Sequence, residues 1–132
     1  MKILVAYDTS AAAEKGLYLA LEEARVFKAN VHAITSADRT KSEKELPNIE
    51  AAEQGLSQAQ AMFEKEGITC STHLLIRGLA PGEDIVQYAK ENSIDRIIVG
   101  VKKQSKVGKL LLGSTAQYVI LKSTCPVLSV KA

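Results

Sequence analysis

Short apolar runs alternate with segments of helical periodicity along the whole chain, and no other feature limits its fold as strongly. The runs cover residues 2–7, 31–35, 69–76, 96–99 and 127–130, and the helical segments cover 11–28, 49–66, 83–92 and 114–122. The first run, K-I-L-V-A-Y, is continuously apolar, as expected of a strand covered on both faces. Strands and helices alternating at this spacing imply a parallel sheet with helices on both faces and right-handed crossovers. The expected architecture is therefore α/β and Rossmann-like. At 132 residues, without linker or repeat, the chain reads as a single domain over 1–132.

Local signals punctuate this pattern. Asp8-Thr9-Ser10 supplies turn and helix-capping chemistry after the first strand. Leu17, Leu21 and Ala24 fall at helical spacing and predict one buried stripe. Residues 36–46, S-A-D-R-T-K-S-E-K-E-L, read as the longest loop, and Pro47 suits a helix start. Gly67 reads as the residue that ends the second helix. Glu83 and Asp84 suit the positive start of the third helix, in which Ile85 and Ala89 face inward.

Composition excludes several function classes. A net charge of +2 gives no global drive toward nucleic acid, so a nucleic-acid partner is not expected beyond a local patch. No apolar run approaches the about 20 residues that span a bilayer, so no membrane partner is expected. The N-terminus begins a strand at once, without a signal-peptide layout, and a cytoplasmic location is expected. Cys70 and Cys125 read as separate reduced thiols, and His32 and His73 have no ligand partner at metal-binding spacing. No metal site is expected.

The stretch from Ile97 to Cys125 carries the functional signal: I-I-V-G-V-K-K-Q-S-K-V-G-K-L-L-L-G-S-T-A-Q-Y-V-I-L-K-S-T-C. An apolar strand ends at Gly100, a basic loop follows, and Gly113-Ser114-Thr115 opens a helix. A small-residue loop leading into a helix N-terminus is suited to phosphate, because free N–H groups and the helix dipole both face the anion. The lysines at 102, 103, 106 and 109 can bind phosphate or RNA backbone, or simply form a solvated loop. Leu110, Leu111 and Leu112 read as an apolar tether for that loop. Ser114 is either a phosphate donor or a helix cap, since Ser114 and Gln117 match the S-x-x-Q capping box. Asp8 likewise is a ligand acceptor or a cap. Gly100 and Gly113 serve either a ligand or a tight turn. There is no P-loop and no nucleophile elbow, and no residue is nominated as a catalytic base.

These residues carry a family resemblance. From I-L-V-A-Y-D-T-S through R-G-x-x-P-G-E-D-I and D-R-I-I-V-G to L-L-L-G-S-T and C-P-V-L-S-V, the chain resembles the universal stress proteins. The resemblance implies a five-stranded parallel sheet of order 3-2-1-4-5. It also implies a homodimer formed by pairing of the last strands, with Val127, Leu128 and Val130 as its apolar contacts. The nucleotide-binding branch of the family has the pattern G-x-x-G-x9-G-S/T. Gly100 and Gly113-Ser114 match it, whereas Lys103 stands at the second glycine. The implied ligand is ATP or another adenine nucleotide, with Mg²⁺. Asp8 and Thr9 would lie near the adenosine, Ser36 near the adenine edge, and Gly100, Lys103, Gly113, Ser114 and Thr115 along the ribose and phosphates. Any hydrolysis would be slow and would come from phosphate positioning and a bound metal ion. The resemblance thus implies a nucleotide-dependent sensor or switch in a stress response, acting on a protein partner. The alternative is a dimeric interaction protein that lost the nucleotide when glycine became Lys103.

Overall fold

A computed structural model describes residues 1–37, 49–101 and 112–132. The elements follow in the expected order: β1 (Lys2–Ala6), α1 (Ala11–Phe27), β2 (Asn30–Ser36), α2 (Ile49–Lys65), β3 (Cys70–Leu75), α3 (Pro81–Glu91), β4 (Arg96–Val101), α4 (Ser114–Lys122) and β5 (Val127–Lys131). The strands form one parallel sheet of order β3-β2-β1-β4-β5, as the resemblance implied.

Side chains alternate across a strand, so each strand feeds both faces of the sheet. Ile3, Val5, Val31, Ala33 and Ile98 pack with Leu17, Leu21 and Ala24 of α1 and with Leu56 and Phe63 of α2. Leu4, Ile34, Ile97 and Val99 pack on the other face with Ile85 and Ala89 of α3 and Val119 of α4. The stripe predicted on α1 and the inward residues predicted on α3 are all buried. Phe63 is fully enclosed, and burial of a side chain of that kind contributes about 1.5–3 kcal/mol.

Most boundaries differ from the sequence reading by one or two residues. Ser36, expected to open a loop, is the last residue of β2, where it is registered with Leu75 of β3. Gly100 lies within β4 rather than in the loop after it, registered with Val130. The helix α3 begins at Pro81, not Glu83; proline fits the first helical turn because no N–H is needed there. Most of the predicted 36–46 loop, together with Pro47 and residues 102–111, lies outside the described residues.

The edge strand β5 also corrects one detail. Val130 is only 6% exposed and belongs to the α1 side of the core, so its side chain is committed inside the chain. Val127 and Leu128 are partly buried against the two cores. Ser129 and Lys131 are the exposed residues of β5.

Gly100 is required by packing. A Cβ built there would sit 2.9 Å from the Ala12 Cβ and 3.2 Å from both the Ala12 carbonyl carbon and the Ala13 nitrogen. The missing side chain lets the first turn of α1 lie against the carboxyl end of β4. Gly100→Ala should therefore destabilise the fold by about 1–3 kcal/mol, read as a lower urea midpoint.

His32 and His73, isolated in sequence, meet around Tyr88. Their ring centroids lie 5.8 Å and 5.6 Å from that of Tyr88, and His32 Nδ1 is 2.7 Å from the Tyr88 hydroxyl. Burial, and then the charges of His73 and Lys2, lower the His32 pKa below its ordinary value. Between the folded and unfolded pKa values the unfolded chain binds more protons, so stability rises with pH in that window. The contribution is complete above the unfolded value of about 6.5 and is lost as pH falls through the folded one. Melting temperature should fall between pH 7 and pH 5, and less steeply in His32→Gln. Parallel profiles in the two proteins would assign the acid sensitivity elsewhere.

Candidate functional site

The chain leaves β1 for β2 and β3 on one side and returns to β4 and β5 on the other. This reversal makes the carboxyl ends of β1 and β4 the switch point of the sheet, where open α/β folds bind ligands. Four local structures surround it.

The first is the turn after β1. Asp8 accepts a hydrogen bond from the Ser10 N–H at 3.0 Å, and Ser10 in turn caps α1 by accepting from the Ala13 N–H at 3.1 Å. The cap is thus Ser10, and Asp8 shapes the turn before it. Thr9 has φ of 65°, and its hydroxyl donates to the Asp8 carbonyl at 2.6 Å. A β-branched residue in the left-handed region is strained by about 1–3 kcal/mol, and such strain concentrates at functional positions. Asp8 and Thr9 are exposed. Tyr7 behind them is buried, and burial followed by the Glu14 and Asp8 charges raises its pKa.

The second is the end of β2, tied to β1. The Tyr7 N–H donates to the Ile34 carbonyl at 2.8 Å, and the Thr35 hydroxyl donates to the Tyr7 carbonyl at 2.6 Å. Ser36 points to the α3 side, where its hydroxyl donates to Asp84 Oδ2 at 2.9 Å.

The third is an ion-pair cluster that the sequence did not disclose. Asp84 is completely enclosed. Arg77 Nε donates to its Oδ1 at 2.6 Å, Arg77 Nη2 donates to its carbonyl at 3.2 Å, and Arg77 Nη1 reaches Glu91 at 2.8 Å. Burial opposes the Arg77 charge, but the hydrogen bonds from Asp84 and Glu91 outweigh it, and its pKa is raised. In sequence Asp84 resembled any acid in a first helical turn, and its partner Ser36 is 48 residues away. No spacing rule could have joined them.

The fourth is the start of α4. The helix begins at Ser114, with Gly113 as its N-cap at φ −62° and ψ 156°, and among the described residues no side chain caps it. This displaces the expected capping box. The box needs Ser at the cap and Gln three residues on, but Ser114 is already the first helical residue, and the Gln117 N–H bonds the Gly113 carbonyl at 3.0 Å. The early N–H groups of such a helix have no intrahelical acceptor. Among the described residues nothing lies within 4 Å of a Cβ built on Gly113, and its φ is an ordinary negative one. Among the described residues, neither packing nor backbone conformation calls for glycine there. Gly113 and Thr115 are partly exposed and Ser114 is exposed.

Asp8, Thr9, Ser36, Gly100, Gly113, Ser114 and Thr115 therefore all lie at the carboxyl end of the sheet, although Gly100 is occupied by α1. Lys103 lies outside the described residues. The electrostatics divide the site. The Asp8 carboxylate suits donors such as ribose hydroxyls or an amine, whereas the uncapped start of α4 suits an anion.

The model of the universal stress protein family matches residues 1–131. A universal stress protein of Synechocystis is 31% identical over 128 residues, which are 97% of this chain but only 42% of that relative's length. The structure of a universal stress protein from Archaeoglobus fulgidus is 39% identical, with a TM-score of 0.85, and the match covers 99% of this chain and 98% of that one. A structure of the Archaeoglobus fulgidus universal stress protein in complex with dAMP is 36% identical, with a TM-score of 0.80 and the same two coverages. The fold, the switch-point site and these matches agree: the chain belongs to the universal stress protein family.

Proposed function

We propose that this protein binds ATP or a related adenine nucleotide, with Mg²⁺, as a sensor or switch in a stress response. The carrying observation is Gly113, a glycine with ordinary φ that no described residue crowds, at a start of α4 that no described side chain caps. A ligand approaching the backbone closely accounts for the missing side chain. The phosphates would meet the Gly113-Ser114-Thr115 start of α4, with Lys103 adding positive charge. The ribose would meet Asp8 and Thr9, and the base would extend toward Ser36. The dAMP complex of a 36% identical relative supports an adenine ligand. Nucleotide binding would alter a surface seen by a protein partner, within a homodimer paired along the outer edge of β5. The reading is one of binding, with no residue assigned to catalysis.

Calorimetric titration with ATP and Mg²⁺, with AMP as comparator, tests it. ATP should bind, and Gly113→Val should weaken it by about tenfold or more, equivalent to about 1.4 kcal/mol. No described residue crowds Gly113, and unchanged affinity in a Gly113→Val protein shown to be folded by thermal melt would remove the site. The substitution of Lys103 for the family glycine favours a second reading, a nucleotide-independent interaction protein. That reading prevails if the parent binds no nucleotide and Lys103→Gly gains binding.

A further inference from the structure

Gly16 and Gly55 both lie buried in helix interiors, the first in α1 and the second in α2. Glycine is disfavoured there against alanine, because it loses more backbone freedom on folding. Packing gives each a reason, but not the same one. A Cβ on Gly16 would lie 3.3 Å from Ile98 Cγ2 and 3.6 Å from Val5 Cγ2, both side chains of the core. A Cβ on Gly55 would lie 3.2 Å from Tyr7 Cε1 and 3.3 Å from Thr9 Cγ2. Gly16 thus seats α1 on the sheet, whereas Gly55 seats α2 on the turn that follows β1. Carbon atoms pack best at about 3.5–4.0 Å, so alanine at position 55 has to push that turn.

The same turn carries the strained residue of the site. Thr9 has φ of 65°, and both of its branches are engaged. The hydroxyl donates to the Asp8 carbonyl at 2.6 Å, and the methyl faces Gly55. A β-branched residue stays in the left-handed region only where its surroundings hold it. The hydroxyl bond is local and moves with the turn. The contact with α2 comes from a distant segment and ties the turn to the rest of the fold. The Ser10 N–H bond to Asp8 and the Ser10 cap of α1 depend on that conformation, because a change of φ at Thr9 rotates Asp8 relative to Ser10.

We infer that Gly55 is a positioning residue of the candidate site: α2, seated on the Thr9 methyl, holds the turn from Asp8 to Ser10 in the form that meets a ligand. The inference rests on the nucleotide reading above and brings in a helix which that reading does not use. Gly55 acts through the backbone conformation of Thr9 and not on the ligand itself.

The test is calorimetry with ATP and Mg²⁺ on the parent, Gly55→Ala, Gly16→Ala, and Gly55→Ala combined with Thr9→Ser, each checked for folding by thermal melt. Hydrogen exchange of the Ser10 amide is followed by NMR on the same proteins without nucleotide. Gly55→Ala should weaken binding about fivefold, the scale on which residues in contact couple, and should speed Ser10 exchange. Gly16→Ala crowds the core instead, and should leave affinity and Ser10 exchange at their parent values whatever it does to the melting temperature. Serine keeps the hydroxyl of Thr9 and removes the methyl. Thr9→Ser should therefore restore the affinity of Gly55→Ala to within about twofold of the parent, a rescue that a purely structural role for Gly55 would not give. Unchanged affinity or unchanged Ser10 exchange in Gly55→Ala, an equal loss in Gly16→Ala, or no rescue by Thr9→Ser overturns the inference while leaving nucleotide binding intact. Loss of folding in both Gly55→Ala proteins assigns Gly55 to stability and also overturns it. Failure of the parent to bind ATP overturns the nucleotide reading itself, and the positioning role with it.

Discussion

Ile3, Leu4 and Val5 are all fully enclosed. A strand with no exposed face is stable only in the middle of a sheet whose two sides are both covered. It then needs a parallel partner on each edge, which β2 and β4 provide. It also needs a helical layer on each face, and α1 and α2 cover one while α3 and α4 cover the other. The position of the candidate site follows. Placing β1 centrally makes the chain turn both ways from it, and the connections diverge at its carboxyl end.

Most of this was legible because period and length are properties of local sequence. The continuous run at β1, the helical stripes and the turn residues each state their own structure. The strand order came from resemblance rather than from the residues. What was not legible depended on contacts between distant segments. Gly100 looked like a loop glycine beside a basic stretch, but the close approach of Ala12 gives its reason and keeps it in β4. Ser114 carried a capping signature, yet the helix starts one residue early for that box. His32 and His73 read as isolated side chains, and only the packing of β2, β3 and α3 brings both against Tyr88.

The two glycines of the nucleotide pattern show why a motif match does not assign a role. Gly100 has neighbours that a side chain would strike, whereas Gly113 has none among the described residues. Only the second lacks an explanation within the described residues, and so only the second argues for something outside the chain. The Arg77–Asp84–Ser36 cluster is the converse case. Arg77 and Asp84 both fall in the R-G-x-x-P-G-E-D-I segment, but nothing in that segment points to Ser36 or to a fully enclosed carboxylate joined to a strand end at the sheet's open rim. Breaking such a buried pair costs about 3–5 kcal/mol.

The split core has a thermodynamic consequence for any ligand at the rim. The turn after β1 feeds α1 on one face, while Gly113 opens α4 on the other. A molecule touching both bridges two helical layers that the sheet otherwise keeps apart. Its binding energy would then enter the cooperative unfolding of the whole domain rather than the order of a single loop. At a hundredfold excess over its dissociation constant, such a ligand adds about 2.7 kcal/mol to global stability. For a domain whose total stability is on the order of 5–15 kcal/mol, occupancy of the rim would set how long the folded chain survives heat or proteolysis.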